Sequence, residues 1–194
     1  MGIYITINNE PYTDLTTIPH LLMIGHNDYT YRDMLYMYND LQKCKRIISV
    51  ICNNHHQLEE INNELWRRYN LFRKYKLQNI DEYRNKIDAS LPYIVVFSKK
   101  VDNSNCTHEI LMLGRGVGIH LIMRAQSTDA ELGDESFLLM FPIHFVYRVN
   151  NIEESIKLAH CQGAEKISQN SRVAIELGFE SGLLLKGSLG IEYQ

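Results

Sequence analysis

The stretch LPYIVVFSKK, residues 91–100, contains the run that decides the fold. Five apolar residues follow one another from Tyr93 to Phe97, with no polar residue between them. A strand with one face in water alternates apolar and polar residues, whereas a strand covered on both faces by helices is apolar throughout. The run therefore predicts a buried strand of a parallel sheet. The lysines that follow it, Lys99 and Lys100, would lie at the carboxyl edge of that sheet.

Short β-branched runs alternate with longer segments of helical period on both sides of this stretch. Leu58, Ile61 and Leu65, for example, mark one face of the longest predicted helix. Strands and helices in alternation require crossover connections, so the sequence predicts an α/β fold with a mostly parallel, doubly wound sheet and helices on both faces. The predicted strands are residues 3–7, 20–25, 46–52, 93–97, 119–123 and 143–149.

Composition is that of an ordinary globular protein, with 194 residues, 45% hydrophobic and 22% charged. The net charge of −3 argues against a nucleic-acid-binding surface, which normally shows a basic excess. Four cysteines without a CxxC pair indicate neither a zinc site nor a disulfide framework. No apolar run reaches the roughly 20 residues of a membrane span. We expect residues 1–194 to form one domain, which is either complete or part of something longer, with any membrane link made by another segment or a partner.

Several ordered segments resemble one family: PHLLMIG (residues 19–25), ELWRRYNLFRKYKLQNIDEY (64–83), LPYIVVF (91–97), GRGVGIHLIMRAQS (114–127) and FPIHFVYRVNNIEESIKLAHCQGAEKI (141–167). Together they resemble the FtsK/SpoIIIE type of RecA-like ATPase domain. The fourth and fifth segments are specific, because they combine several unusual residues at fixed separations. The resemblance implies a RecA-like P-loop NTPase fold.

The phosphate-binding loop of that family is where this sequence departs most. Such domains carry GxxxxGK[ST], whose backbone amides cradle phosphates while the lysine and the hydroxyl serve the outer phosphates and magnesium. Here the stretch is GHNDYTYR, in which Thr30 replaces the second glycine, Tyr31 the lysine and Arg32 the hydroxyl. Bulky residues disfavour the tight anion nest that glycine forms most easily. The resemblance thus implies a vestigial nucleotide site at Gly25, His26, Asn27, Asp28, Tyr29, Thr30, Tyr31 and Arg32.

The second departure is at Lys99 and Lys100, where the family places an aspartate and a glutamate. Those acids hold magnesium and orient water in related enzymes. At about 4 Å and an effective dielectric of about 20, a lysine would repel a divalent cation by about 8 kcal/mol. We therefore expect no metal site, weak or absent binding of Mg-ATP, and no ATP hydrolysis by this domain itself, although the parent protein would be an ATPase.

Two further residues match functional positions of the family. Arg115 matches the arginine that in such ring motors can reach the nucleotide of a neighbouring subunit, and Gln126 matches a polar sensor after the following strand. Each has a purely structural alternative. Arg115 could cap helix carbonyls, and Gln126 could satisfy loop amides.

Three other patterns are interpreted as structural. His55 and His56 have acids four residues later, Glu59 and Glu60, which could ligate a metal but fit a solvated first helical turn better. The aromatic residues Trp66, Tyr69 and Phe72 continue an apolar stripe and are predicted to be core. Scattered cations are interpreted as a charged outer helix face and not as a nucleic-acid site: Lys43, Lys45, Arg46, Arg67, Arg68, Arg73, Lys74 and Lys76.

The resulting hypothesis is a degenerate C-terminal ATPase module of a type VII secretion coupling protein of the EssC/EccC type, from a Gram-positive bacterium. The resemblance implies a place at the cytoplasmic face of the membrane. The implied partners are secreted small helical proteins and neighbouring ATPase modules of the same chain, with no specific nucleic acid. The alternatives are a DNA translocase motor domain and a regulatory nucleotide sensor.

One apolar run is a candidate partner-binding surface. Five apolar residues, 137–141, are more than one helix face can bury, so some of them could line a surface pocket. The candidates are Phe137, Leu138 and Met140, the last with an adaptable thioether. The alternative is that the run is buried between helix and sheet.

Overall fold

The computed structural model describes residues 3–7, 10–25, 27–126, 128, 132, 134–159, 162–168 and 172–176. The strands in this part of the chain are β1 (Tyr4–Ile7), β2 (Glu10–Asp14), β3 (Leu21–Ile24), β4 (Ile47–Cys52), β5 (Tyr93–Ser98), β6 (Ile119–Ala125), β7 (Ile143–Tyr147) and β8 (Arg172–Glu176). The helices are α1 (Asn27–Leu41), α2 (His55–Lys74), α3 (Ile80–Lys86), α4 (Asn105–Val117), α5 (Glu135–Leu139) and α6 (Ile152–Ala159).

Six of the strands form one sheet in the order β4-β5-β6-β3-β7-β8. All neighbours pair in parallel except β7 and β8, which are antiparallel. Strands β1 and β2 form a separate antiparallel hairpin. The predicted α/β class and mostly parallel sheet are confirmed. Each predicted strand is present to within two residues at either end, whereas β2 and β8 were not predicted.

The apolar run of β5 lies where its composition predicts. All six of its residues are buried, and it pairs with β4 on one side and β6 on the other. On one face, Phe97 packs edge-to-face against Tyr38 of α1, with ring centroids 5.6 Å apart. Right-handed crossovers place α2 and α4 on the opposite face, where they pack against each other. The sheet is therefore covered on both sides.

Side-chain caps define the starts of α2 and α6. Asn54 accepts a hydrogen bond from Gln57 N at 3.1 Å, and Asn151 accepts one from Glu154 N at 2.9 Å. The Gln57 side chain in turn accepts a bond from the backbone N–H of residue 53. Both helices therefore begin at a residue whose side chain satisfies an otherwise unpaired backbone N–H group.

The longest helix, α2, differs from prediction at two places. Arg68 does not lie on a charged outer face: its side chain is 2% exposed and bonds Glu64, Pro92 O and Val117 O at 2.7 to 3.0 Å. Trp66 was predicted to be core but is 37% exposed, because its indole N–H donates to a surface carboxylate of α4 at 2.6 Å. Tyr69 beside it is also partly exposed, at 36%.

Candidate functional site

Strand β3 lies between β6 and β7, so the strand order reverses at this point of the sheet. The chain turns from β3 to α1 there, and Gly25 N donates to Ala125 O at the end of β6. Ligands of open α/β sheets bind outside the carboxyl ends of strands at such points. The side chains that surround this turn are therefore the candidate site.

Gly25 is required by the packing at the turn. Its φ of +155° lies in a region that favours glycine, and a Cβ would meet the Tyr147 Cβ at 2.5 Å. The close approach of β7 therefore explains this glycine without any bound ligand.

Helix α1 begins at Asn27, two residues after Gly25. The segment that the family uses as an open loop is therefore largely helical, although His26 lies outside the described residues. In a helix only the first four N–H groups lack a carbonyl partner, so the amides from Tyr31 onward are engaged inside α1. The Thr30 side chain is fully buried, while Asp28 is exposed.

Two cations face the aromatic ring of Tyr31. Lys99 Nζ lies 5.3 Å and Arg124 Cζ lies 5.6 Å from the ring centroid. Arg124 Nε also donates to Lys99 O at 3.1 Å. We call Tyr31, Lys99 and Arg124 the edge cluster. It brings together α1 and the carboxyl ends of β5 and β6, with Lys100 and Gln126 exposed beside it.

The edge cluster has the charge of an anion site and not of a metal site. Its two cations would repel a divalent ion, and a cation over a ring within about 6 Å is favourable. No group of three or more metal-ligating side chains occurs among the residues that the structure describes. Arg124 was missed from the sequence, although a charged residue inside an otherwise apolar strand is an unusual feature that could have indicated it.

A buried ion pair joins α1 to β8. Asp33 of α1 and Arg172 of β8 are 4% and 3% exposed, and an Arg172 Nη–H donates to the Asp33 carboxylate. The Tyr147 hydroxyl donates to the same oxygen at 2.7 Å. Burial, followed by the Asp33 charge, raises the pKa of Tyr147 well above its usual value. These three residues tie α1 to β7 and β8, and the sequence analysis missed them.

Arg115 lies at the opposite, amino edge of the sheet, in the last turn of α4. Its Nε donates to Thr16 O at 3.1 Å, in the segment between β2 and β3. Arg115 therefore ties α4 to another part of the chain and does not join the edge cluster.

The histidine pairs at the start of α2 form solvated ion pairs, as predicted. His55 lies 3.4 Å from Glu59, and its Nδ1 lies 3.0 Å from Asp102. The Asp102 carboxylate raises the pKa of His55. The side chains of His56 and its carboxylate neighbours are 47 to 78% exposed.

The apolar run at α5 is mostly buried, which corrects the predicted partner surface. Phe137 and Leu138 are 0% and 2% exposed, because Phe137 packs against Phe141 and against the His108 ring of α4. Met140 is half-buried against the core. Leu139, which was not a candidate, is the member at the surface.

Sequence comparison finds relatives of this chain, although no protein-family model matches it. The DNA translocase FtsK of Staphylococcus epidermidis is 28% identical over 145 residues, which cover 62% of this chain and 18% of the relative. FtsK of Clostridium acetobutylicum is 22% identical over 200 residues, with coverage of 80% and 26%. The chain is homologous to the FtsK DNA translocases. It spans about a fifth to a quarter of these FtsK proteins.

Solved structures show the same fold. The conjugation coupling protein TcpA of pCW3 matches with a TM-score of 0.71 and 18% identity, covering 92% of this chain and 63% of TcpA. The type VII secretion ATPase EccC of Thermomonospora curvata matches with a TM-score of 0.68 and 13% identity, covering 90% and 26%. ATPases 2 and 3 of EssC from Geobacillus thermodenitrificans give 0.66 and 12%, covering 85% and 39%. Together with the FtsK homology, these matches confirm the predicted RecA-like ATPase fold of the FtsK/SpoIIIE type.

None of the helices in the described part of the chain combines the length and apolar character needed to cross a bilayer.

Proposed function

We propose that this chain is a catalytically degenerate ATPase-like domain of a type VII secretion system, which acts by binding partners and not by hydrolysing ATP. The observation that carries this proposal is the local structure after β3. Helix α1 starts at Asn27, and the Tyr31 ring lies against Lys99 and Arg124. In this chain the segment that would form the phosphate cradle is largely helical. Other residues replace the lysine and the acids of a working site.

The chemistry of phosphoryl transfer explains why these changes matter. Catalysis depends almost entirely on positioning and on electrostatic stabilisation by a metal ion and a phosphate cradle. The α-helical backbone from Tyr31 onward offers no cradle, because its amides bond to helix carbonyls. Two cations offer no metal ligand. The vestigial site would therefore bind Mg-ATP weakly and would not turn it over.

The proposed setting is supported by the likeness to ATPases 2 and 3 of EssC and to the cytoplasmic domain of the type VII secretion ATPase EccC. In such a protein this chain would be one module, next to other modules and at the cytoplasmic face of the membrane. Its partners would be those modules and secreted small helical proteins. Any membrane contact would come from the rest of the protein, and no specific nucleic acid is expected.

A second candidate, DNA translocation, is favoured by the sequence homology, because the matched relatives are DNA translocases. The two functions differ in DNA affinity. We expect the chain to bind duplex DNA no more tightly than about 10⁻⁶ M at physiological salt, the non-specific range. Tight, salt-resistant binding in a fluorescence anisotropy titration would favour the translocase.

The proposed function is tested in the organism that encodes the chain. Deleting the chain should abolish export of the type VII substrates, measured in culture supernatant. Lys100→Ala removes an exposed cation from the vestigial metal position and should leave export unchanged. If export persists after the deletion, the chain has no role in secretion and the proposal is wrong.

A further inference from the structure

Three glycines follow one another closely at the end of α4, and the fold accounts for two of them. A Cβ at Gly114 would meet Ile119 O at 2.4 Å. Gly118 has a φ of +75°, and a Cβ there would meet an Ile80 methyl at 2.2 Å. At Gly116, by contrast, a Cβ would meet nothing within 4 Å. Glycine inside a helix costs about 0.5–1 kcal/mol relative to alanine, so packing gives no reason for glycine at this position.

Gly116 lies where two surface cavities meet. A cavity of ≈ 250 Å³ on one side is lined mainly by apolar side chains, among them Phe72, Leu77 and Met112. A cavity of ≈ 240 Å³ on the other side is lined mostly by polar residues, among them Asp81 and Arg115. Gly116 lines both. Either cavity alone is smaller than the range of about 300–1,000 Å³ that is typical of binding clefts, so a ligand of ordinary size would have to span both.

The apolar half of this groove exposes large side chains. Met112 is 74% exposed and Tyr69 is 36% exposed, and both line the first cavity. Exposed apolar side chains that line a concave surface are a feature of interaction sites. Methionine adapts its shape to different apolar groups. This half suits one large apolar side chain of a partner.

Cations mark both halves of the groove. Arg73 lines the apolar half and stacks over the Tyr69 ring at 6.0 Å, and Arg115 lines the polar half. The guanidinium of Arg115 has five N–H donors, of which the one at Nε is bonded within the described part of the chain. The acid in the groove, Asp81, already accepts from the Tyr93 hydroxyl at 2.7 Å. The groove therefore favours a carboxylate.

We propose that this groove, which we call the Gly116 groove, binds a protein segment that carries a large apolar side chain close to an aspartate or glutamate. The proposal rests on the proposed role in partner binding and adds the site and the chemistry of the partner. Gly116 keeps the two halves open to each other. Because the groove lies at the amino edge of the sheet, its test is independent of whether the edge cluster binds nucleotide.

The test is selection of a phage library of random 12-residue peptides on the immobilised 194-residue chain, with affinities of synthetic peptides then measured by fluorescence anisotropy. We expect the enriched peptides to combine acidic and large apolar residues. Gly116→Trp, which fills the space between the two cavities, should weaken the binding of these peptides at least about tenfold, as loss of a binding hot spot does. The matched control Gly116→Ala should bind within about twofold of wild type, since its methyl group meets open space.

Two more variants keep the test decisive. Met112→Glu changes an exposed side chain, so it should fold even if Gly116→Trp does not, and it should repel acidic peptides. Arg115→Gln should remove the preference for acidic residues when the selection is repeated. If the peptides bind Gly116→Trp and Met112→Glu as tightly as wild type, the Gly116 groove is not their binding site and the proposal is wrong. Enriched peptides without acidic residues, or no enrichment at all, would overturn the proposed partner chemistry.

Discussion

The buried pair of Asp33 and Arg172 makes a strong prediction about stability. Replacing Asp33 with alanine leaves the Arg172 guanidinium charged and 3% exposed, and removes the acceptor of the Tyr147 hydroxyl. Breaking a buried pair by removing one partner costs about 3–5 kcal/mol. A domain of this size melts about 2–4 °C lower for each kcal/mol lost. We therefore expect Asp33→Ala to lower Tm by about 6–20 °C.

The assay is urea and thermal unfolding followed by circular dichroism. Asp40→Ala on the same helix is the matched control, because Asp40 pairs with the exposed Lys43 at 3.2 Å, and such surface pairs contribute at most about 1 kcal/mol. The double variant Asp33→Leu with Arg172→Met should lose less stability than Asp33→Ala alone, since no buried charge remains. The reasoning is refuted if Asp33→Ala costs no more than Asp40→Ala, or if the double variant is no more stable than the single one.

Two further predictions concern other buried polar groups. Burial lowers the pKa of His20 to about 3 and of His120 to about 4. Below about pH 6.5 the unfolded chain therefore binds more protons than the folded chain, and the free energy of unfolding decreases as the pH is lowered. From pH 7.5 to pH 5 we expect urea unfolding to show a loss of about 4 kcal/mol, and an unchanged free energy of unfolding over that range would contradict neutral buried histidines. Arg68→Leu leaves two backbone carbonyls unpaired and should cost about 3 kcal/mol. Arg67→Leu removes the exposed partner of Glu64, which Arg68 also bonds, and should cost less than about 1 kcal/mol. Equal urea midpoints for the Arg68 and Arg67 variants would contradict a stabilising role of the buried Arg68 side chain.

Local patterns in the sequence were enough to predict the fold. Strand β5 was predicted because an unbroken apolar run has one common structural explanation. Strand β2 was missed because its sequence, EPYTD, has neither an apolar run nor a clean alternation. Its antiparallel pairing with β1 gives it a strand conformation that its own composition does not indicate.

Long-range contacts were beyond local patterns. Asp33 and Arg172 are 139 residues apart, and no spacing rule connects them. The edge cluster likewise joins three separate segments. The sequence could show that Tyr31 and Lys99 depart from the family, but not that the lysine would lie over the tyrosine ring. Trp66 was misplaced because a helical stripe predicts which residues share a face and not how far a neighbouring helix covers it.

Titration of the 194-residue chain with Mg-ATP, combined with a phosphate-release assay, determines whether the nucleotide site is vestigial. We expect at most weak binding, with a Kd of about 1 mM or higher, and turnover well below about 1 s⁻¹. Turnover above about 1 s⁻¹, at the low end of enzyme rates, would contradict it. That result would mean that the helical segment after Gly25 can open into a phosphate cradle.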